Sequence, residues 1–122
     1  LGNFPCTVKA VVDMYGPAAD FNKRGLKILG KTPEEAPDLY AEVSPITHIK
    51  KDAPPILLLH GTGDKTVPVS ESEKFAKALS EKGAPHQLII IEGAPHTFDL
   101  KPKQKDLRPV VLEFFNKNLK AN

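Results

Sequence analysis

The stretch PPILLLHGTGDKTVP, residues 54–68, joins an apolar run to a turn that carries a single carboxylate. The run, residues 56–60, is typical of a strand buried on both faces, as found in parallel sheets that are covered by helices. It ends at His60-Gly61, and Asp64 follows in a glycine-rich turn. An acid directly after a buried strand needs an explanation, and the rest of the sequence suggests one.

Two more segments have the pattern of strands. Residues 7–13, TVKAVVD, are rich in β-branched residues, and residues 86–92, HQLIIIE, form a second apolar run. We expect residues 86–92 to be buried like residues 56–60. Together the three segments predict a sheet of at least three strands.

Three helices are expected around these strands. Residues 32–43 and 70–82 each begin with a capping-box pattern, in which Ser or Thr precedes Glu by three residues. Gly83 should end the second helix, and Pro33 fits the first turn of the first. A third helix is predicted from Asp106 onward, because apolar residues recur there at helical spacing. The two capping pairs are Thr32 with Glu35 and Ser70 with Glu73.

This order of elements predicts the fold class. Strand, irregular helical segment, strand, helix, strand and helix alternate, which indicates an α/β fold with parallel strands and helices on the sheet faces. Catalytic and ligand-binding groups then belong at the carboxyl ends of the strands. The turns at that edge are MYGPAADF, GTGDKTVP and GAPHTF, which start at Met14, Gly61 and Gly93.

Composition limits the classes of function. With 122 residues the chain has room for one domain at most, and 40% hydrophobic residues indicate a folded rather than a disordered chain. The net charge is +2 without a basic cluster, which argues against nucleic acid. No apolar run approaches the ~18 residues of a membrane span. The single cysteine, Cys6, cannot form an internal disulfide and is best explained as a small apolar residue.

Two of the three turns carry residues of catalytic type. Asp64 follows the second strand and His96 follows the third, so both belong to the same edge of the sheet. A carboxylate beside a histidine can fix the ring tautomer and stabilise the imidazolium, while the second ring nitrogen takes a proton from a nucleophile. The pair therefore predicts the acid and the base of a nucleophilic triad.

The motifs HGTGDKTVP and GAPHTF, with a helix between them, resemble the C-terminal half of α/β-hydrolase-fold esterases. The similar group includes carboxylesterases, acetyl-xylan and feruloyl esterases, and hydrolases related to prolyl oligopeptidase. The resemblance implies that the three strands are the sixth, seventh and eighth of that fold. It also implies that residues 1–122 are the C-terminal portion of one α/β-hydrolase domain, with residues 17–50 in a cap or lid region. Asp64 and His96 would be two members of a Ser-His-Asp triad that needs no metal and no organic cofactor.

The nucleophile of that family has no counterpart in this chain. The G-x-S-x-G elbow should precede the first strand, and none of the four serines lies between glycines. The sequence reads as the middle and end of a hydrolase, so we expect the chain alone to be inactive. Its partner would be the N-terminal half of the same hydrolase, or a second copy that associates through the edge strand 7–13. The substrate would be a small-molecule or polysaccharide-linked ester.

Each candidate residue also has a simpler interpretation. Asp64 could merely form a turn, and His96 could be a surface-loop histidine. Glu92, at the end of the third strand, is the competing acid. His60 is better explained as a structural histidine than as a metal ligand, because no third ligand has a supporting spacing. His48 and His86 are interpreted as ordinary polar positions.

Two aromatic residues follow the first strand. Tyr15 and Phe21 could line the pocket for the acyl or sugar group, or they could pack in the core or cap. The alternative class of function is a non-catalytic binding or receiver-like module, suggested by Asp13 at the end of a strand. Only three strands are visible and no phosphate-binding glycine loop follows the first, which disfavours that alternative.

Overall fold

The computed structural model describes residues 7–19 and 29–120, which contain one parallel sheet and its flanking helices. The strands are β1 (Val11–Met14), β2 (Ile56–Gly61) and β3 (His86–Ile91), and their order in the sheet is β1-β2-β3. The helices are α1 (Pro37–Val43), α2 (Ser70–Lys82) and α3 (Arg108–Asn118), with a 3₁₀ turn at Pro45–His48. The predicted fold class is confirmed, and the sheet is open.

The central strand β2 separates two hydrophobic clusters. Leu57 and Leu59 face the side covered by α3, whereas Leu58 between them faces α2. All three side chains are fully buried. Complete burial of a leucine contributes about 1.5–3 kcal/mol, so the apolar run accounts for much of the cohesion between the layers. The expectation of a strand buried on both faces is therefore confirmed for β2. It is wrong for β3, where Ile91 is buried but Ile90 is 38% exposed.

The first strand is shorter and later than expected. Residues 7–13 were predicted, but regular pairing covers Val11–Met14, and Val8 is 60% exposed. Pairing starts where the neighbouring strand starts, with Val11 opposite Ile56. Pro54 and Pro55 precede Ile56, and proline has no N–H to donate to a ladder.

The helix predicted from residue 32 begins at Pro37 instead. Its capping pair does form, since Glu35 accepts from the Thr32 N–H at 2.7 Å and Thr32 Oγ1 accepts from the Glu35 N–H at 3.3 Å. Ala36 then adopts an extended conformation, with φ −147° and ψ 62°. The following Pro37 disfavours helical geometry at Ala36, so the capped turn ends there and a new helix starts at the proline.

The prediction of a second capping box, at Ser70 and Glu73, is wrong. The N-cap of α2 is Val69, no side chain caps that end, and Ser70 is already helical. The predicted end at Gly83 is confirmed by its left-handed φ of 66°. Helix α3 begins at Arg108 rather than Asp106, and its proline lies in the first turn as expected.

Candidate active site

The turn after β2 holds Asp64 in a fixed orientation. Its Oδ1 accepts hydrogen bonds from the backbone N–H groups of Thr66 and Val67, both at 2.8 Å. The side chain has no exposed surface. Burial alone would raise the pKa of this carboxyl, but the hydrogen bonds from Val67, His96 and Thr66 outweigh burial and hold the pKa below its ordinary value. Asp64 is therefore a carboxylate that only accepts hydrogen bonds.

The turn after β3 brings His96 to that carboxylate. Nδ1 of His96 lies 2.7 Å from Oδ2 of Asp64. Because the ionised carboxylate has no proton to give, Nδ1 carries the ring proton and Nε2 of the neutral ring carries the lone pair. The His96 side chain is 27% exposed, and no hydrogen-bond partner of Nε2 occurs in residues 7–19 or 29–120. This nitrogen is available to take a proton.

The two turns are joined to each other by short contacts. Thr62 Oγ1 donates to Glu92 at 2.9 Å and accepts from the Gly93 N–H at 2.8 Å. The N–H of Gly63 donates to the carbonyl of Ala94 at 3.0 Å. Glu92, the competing acid, thus bonds with Thr62, and the carboxylate beside His96 is that of Asp64.

Gly61 lets these two turns approach closely. A Cβ atom at Gly61 would lie 2.1 Å from the carbonyl oxygen of Ala94, which is inside van der Waals contact. Thr97, directly after His96, has a left-handed φ of 64°. The backbone around the acid and the histidine is therefore constrained on both sides.

Tyr15 lies against the histidine. Its ring centroid is 4.8 Å from that of His96 in an edge-to-face arrangement, and 4.9 Å from that of Phe98. Tyr15 has a left-handed φ of 49°, which turns the chain at the end of β1. Phe21, the other expected pocket residue, lies outside the described residues.

The remaining histidines lie apart from Nε2 of His96. His60 is fully buried between Ser72 and Val67, as a structural histidine should be. His48 contacts the carbonyl of Glu42, and His86 contacts the carbonyl of Ala84 at 2.9 Å. Within residues 7–19 and 29–120 no group of three or more His, Cys, Asp or Glu side chains could hold a metal ion.

The four serines do not complete a triad. Ser44 donates to the carbonyl of Tyr40 at 2.7 Å, Ser72 bonds with His60, and Ser80 lies 3.3 Å from His86. Ser70 lies at the start of α2. None of the four is hydrogen-bonded to His96, so the described chain provides an acid and a base without a nucleophile between glycines.

Sequence reasoning missed Thr62 and Ser72. Thr62 connects the acid turn to the histidine turn, and Ser72 contacts the buried ring of His60. Thr62 had a signal, since it stands within the glycine turn after a buried strand. Ser72 had none, because its inward direction depends on where α2 begins.

The described helices include none that is long and apolar enough to cross a membrane.

Asp13, the residue behind the receiver-like alternative, lies near the end of β1. Burial raises the pKa of its carboxyl, although the hydrogen bond from the Gly16 N–H acts in the opposite direction. A Cβ atom at Gly16 would lie 2.3 Å from Oδ1 of Asp13.

Comparisons with known proteins identify the family of this fold. The model of the prolyl oligopeptidase family matches residues 6–122. The esterase LipC of Mycobacterium tuberculosis is 30% identical over 112 residues, which cover 77% of this chain and 26% of LipC. A truncated form of a carbohydrate esterase from gut microbiota superposes with a TM-score of 0.76 at 27% identity, covering 93% of this chain and 44% of that one. A puromycin-hydrolysing peptidase of M. tuberculosis superposes with a TM-score of 0.74 at 29% identity. The match covers 93% of this chain and 19% of the peptidase. The chain thus spans less than half the length of these relatives.

Proposed function

The chain belongs to the prolyl oligopeptidase family of α/β-hydrolases, and we propose that it supplies the acid and the base of a serine hydrolase that cleaves carboxylic esters. The observation that carries the proposal is the 2.7 Å contact between Nδ1 of His96 and Oδ2 of Asp64. Esterases among its relatives support the ester as the bond that is cleaved. The same contact and family favour the hydrolase over a receiver-like module.

In the proposed reaction, Nε2 of His96 takes the proton of a serine hydroxyl as that hydroxyl attacks the ester carbonyl. The imidazolium that forms keeps its Nδ1–H on Asp64, whose carboxylate stabilises the positive charge. His96 then gives the proton to the departing alkoxide, which leaves an acyl-enzyme. Water deprotonated by the same nitrogen then attacks the acyl carbon, and His96 returns that proton to the serine oxygen as the carboxylic acid leaves.

The nucleophile in this proposal lies outside these 122 residues. No serine here lies between glycines or bonds with His96. In triad enzymes the loss of the serine costs about as much as the loss of all three members, on the order of a millionfold in turnover. We therefore expect the chain alone to be inactive. Residues 1–122 would be the C-terminal portion of one hydrolase domain, with residues 17–50 contributing to its cap.

The substrate class follows from the relatives. We propose a small-molecule or polysaccharide-linked ester, because the carbohydrate esterase aligns over nearly the whole chain. Tyr15 beside His96 would form part of the wall around the acyl or sugar group. The same role for Phe21 stays a prediction from the sequence.

We also propose that β1 is the surface through which the rest of the hydrolase joins this chain. In the described part of the chain β1 pairs with β2 on one side only. Beside it is an apolar cavity of about 510 Å³ lined by residues that include Val12, Ile56 and Phe75. An open strand edge next to an apolar cavity favours addition of another strand. Light scattering after gel filtration tests this: self-associated chains that become monomeric when proline replaces Val12 would support pairing at β1, and a monomer throughout would contradict self-association.

The function is tested with a fluorophosphonate probe on two samples, the 122-residue chain and the longest natural gene product that contains it. We expect an adduct only on the longer product, on a serine beyond these residues. His96→Gln should abolish that labelling, while His48→Gln, at an exposed site, should not. Labelling of Ser44, Ser70, Ser72 or Ser80 would overturn the proposal, as would normal labelling of the His96 variant.

A further inference from the structure

The first turn of α2 directs two polar side chains into the protein. Glu71 and Ser72 are 5% and 1% exposed. Glu71 accepts a hydrogen bond from the N–H of Ala19 at 3.0 Å, beyond the end of β1. Ser72 Oγ lies 2.6 Å from Nδ1 of His60, at the end of β2. The helix thus makes polar contacts with the segment after β1 and with the end of β2.

The two contacts of His60 determine its tautomer. Nε2 lies 2.9 Å from the carbonyl oxygen of Val67, which can only accept, so Nε2 carries a proton. Nδ1 of the neutral ring is then an acceptor, and the hydroxyl of Ser72 donates to it. Nε2 also lies 3.3 Å from Oδ2 of Asp64, a longer contact than the 2.9 Å hydrogen bond to Val67.

We propose that His60, held by Ser72, is a positioning residue for Asp64: its Nε2–H stabilises, over a longer contact, the same carboxylate oxygen that accepts the hydrogen bond from Nδ1–H of His96. Oδ2 accepts the hydrogen bond from Nδ1–H of His96 at 2.7 Å and lies 3.3 Å from Nε2 of His60. Oδ1 is held by two backbone N–H groups. The connected groups run from Ser72 through His60 and Asp64 to His96. The catalytic meaning of this chain of contacts rests on the function proposed above.

A role in packing alone explains this arrangement less well. His60 ends a strand of leucines, where an aliphatic side chain would fill the space without any polar group to satisfy. A buried polar ring costs free energy unless its nitrogens are hydrogen-bonded. Both nitrogens of His60 are hydrogen-bonded, and Nε2 also lies 3.3 Å from Oδ2 of Asp64. A structural histidine that only supported the Val67 carbonyl would not need to lie this close to Asp64.

A matched pair of variants separates the two roles. Glutamine at position 60 can place its amide N–H near the site of Nε2, whereas methionine of similar length has no donor. Removing a hydrogen bond to a carboxylate raises its pKa. Carbon NMR of the Asp64 carboxyl across a pH titration measures how easily it is protonated. We expect the proton affinity of this carboxylate to rise about tenfold in His60→Met and to change little in His60→Gln. The same titration of Asp64 in both variants would overturn the proposal.

A second measurement uses the unaltered chain, and it tests the proposal even when neither His60 variant folds. Nitrogen NMR of the His60 ring should show the Nε2–H tautomer, and an Nδ1–H tautomer or an imidazolium would overturn the proposal. Ser72→Ala should accelerate exchange of the Nε2 proton with water at least tenfold, because the ring loses its anchor. Ser80→Ala, on the exposed side of the same helix, is the control. Since none of these readouts needs turnover, failure here is distinct from failure of the fluorophosphonate test.

Discussion

Oδ2 of Asp64 lies 2.7 Å from Nδ1 of His96, although 32 residues separate the two in the sequence. The parallel sheet brings them together, because β2 and β3 are neighbours and each residue follows the carboxyl end of its strand. The contacts of Thr62 and Gly63 with the histidine turn then fix the spacing between the loops. The geometry of the pair is thus a property of the sheet and not of either loop alone.

Asp64 should make the chain sensitive to acid. Its pKa in the folded chain is below the ordinary 3.8, so its contribution to stability is fully present above about pH 4. That contribution is lost as the pH falls through the lower, folded-state pKa. We expect Asp64→Asn to reduce the free energy of unfolding at pH 7 by about 1–3 kcal/mol, because acceptor contacts are lost. The difference between the two proteins should shrink below pH 4, as measured by urea unfolding.

Asp52→Asn is the control for that measurement, because Asp52 is an exposed carboxylate elsewhere in the chain. It should leave both the stability and its pH dependence close to those of the unaltered chain. A constant difference between Asp64→Asn and the unaltered chain from pH 7 to pH 2 would contradict the prediction.

In contrast to the charge of Asp64, that of Asp13 should destabilise the folded chain at neutral pH. Burial raises its pKa above 3.8, so the folded chain pays a penalty for the charged form at pH values above the folded-state pKa. That penalty disappears as the pH falls through the raised pKa. Asp13→Asn removes the charge and keeps an oxygen that can accept from the Gly16 N–H. We therefore expect the variant to be more stable than the unaltered chain at pH 7, with a gain that vanishes in acid. A variant that is less stable at pH 7 would show that the charge itself is needed.

Two glycines near the site should respond differently to a methyl group. At Gly61 a Cβ atom would lie 2.1 Å from the Ala94 carbonyl oxygen, so Gly61→Ala must push the turns that carry Asp64 and His96 apart. We expect a loss at or above the upper end of the about 1–3 kcal/mol typical of overpacking. Gly93 has open space but a φ of 70°, so Gly93→Ala should cost only the strain of about 1–2 kcal/mol. Urea unfolding compares them, and equal losses would contradict the steric argument.

The sequence was sufficient for the features that local patterns encode. Continuous apolar runs and the order of elements predicted three parallel strands. The position of Asp64 and His96 at strand ends predicted their proximity. These inferences succeed because the carboxyl ends of parallel strands share an edge whatever the details of packing.

The missed features depend on register and on competing local preferences. Ser70 and Glu73 matched a capping box, but the chain at Val69 is already helical, so a box cannot form one residue later. Consequently Ser72 turns inward and contacts His60, which no spacing rule indicates. Thr32 did form its box, yet Pro37 ended that turn and started the helix anew.

Tyr15 should influence the ring of His96 directly. Its edge-to-face contact at 4.8 Å places the His96 ring in the field of the tyrosine ring, and such contacts contribute about 0.5–1.5 kcal/mol beyond the burial of area. We expect Tyr15→Leu to shift the proton resonances of the His96 ring and to lower the free energy of unfolding. Tyr15→Phe keeps the aromatic ring and should do neither. In the longer gene product, Tyr15→Leu should lower kcat more than it raises KM if the ring positions His96, whereas a larger effect on KM would indicate that it binds the acyl group. Unchanged His96 resonances in Tyr15→Leu would contradict the contact itself.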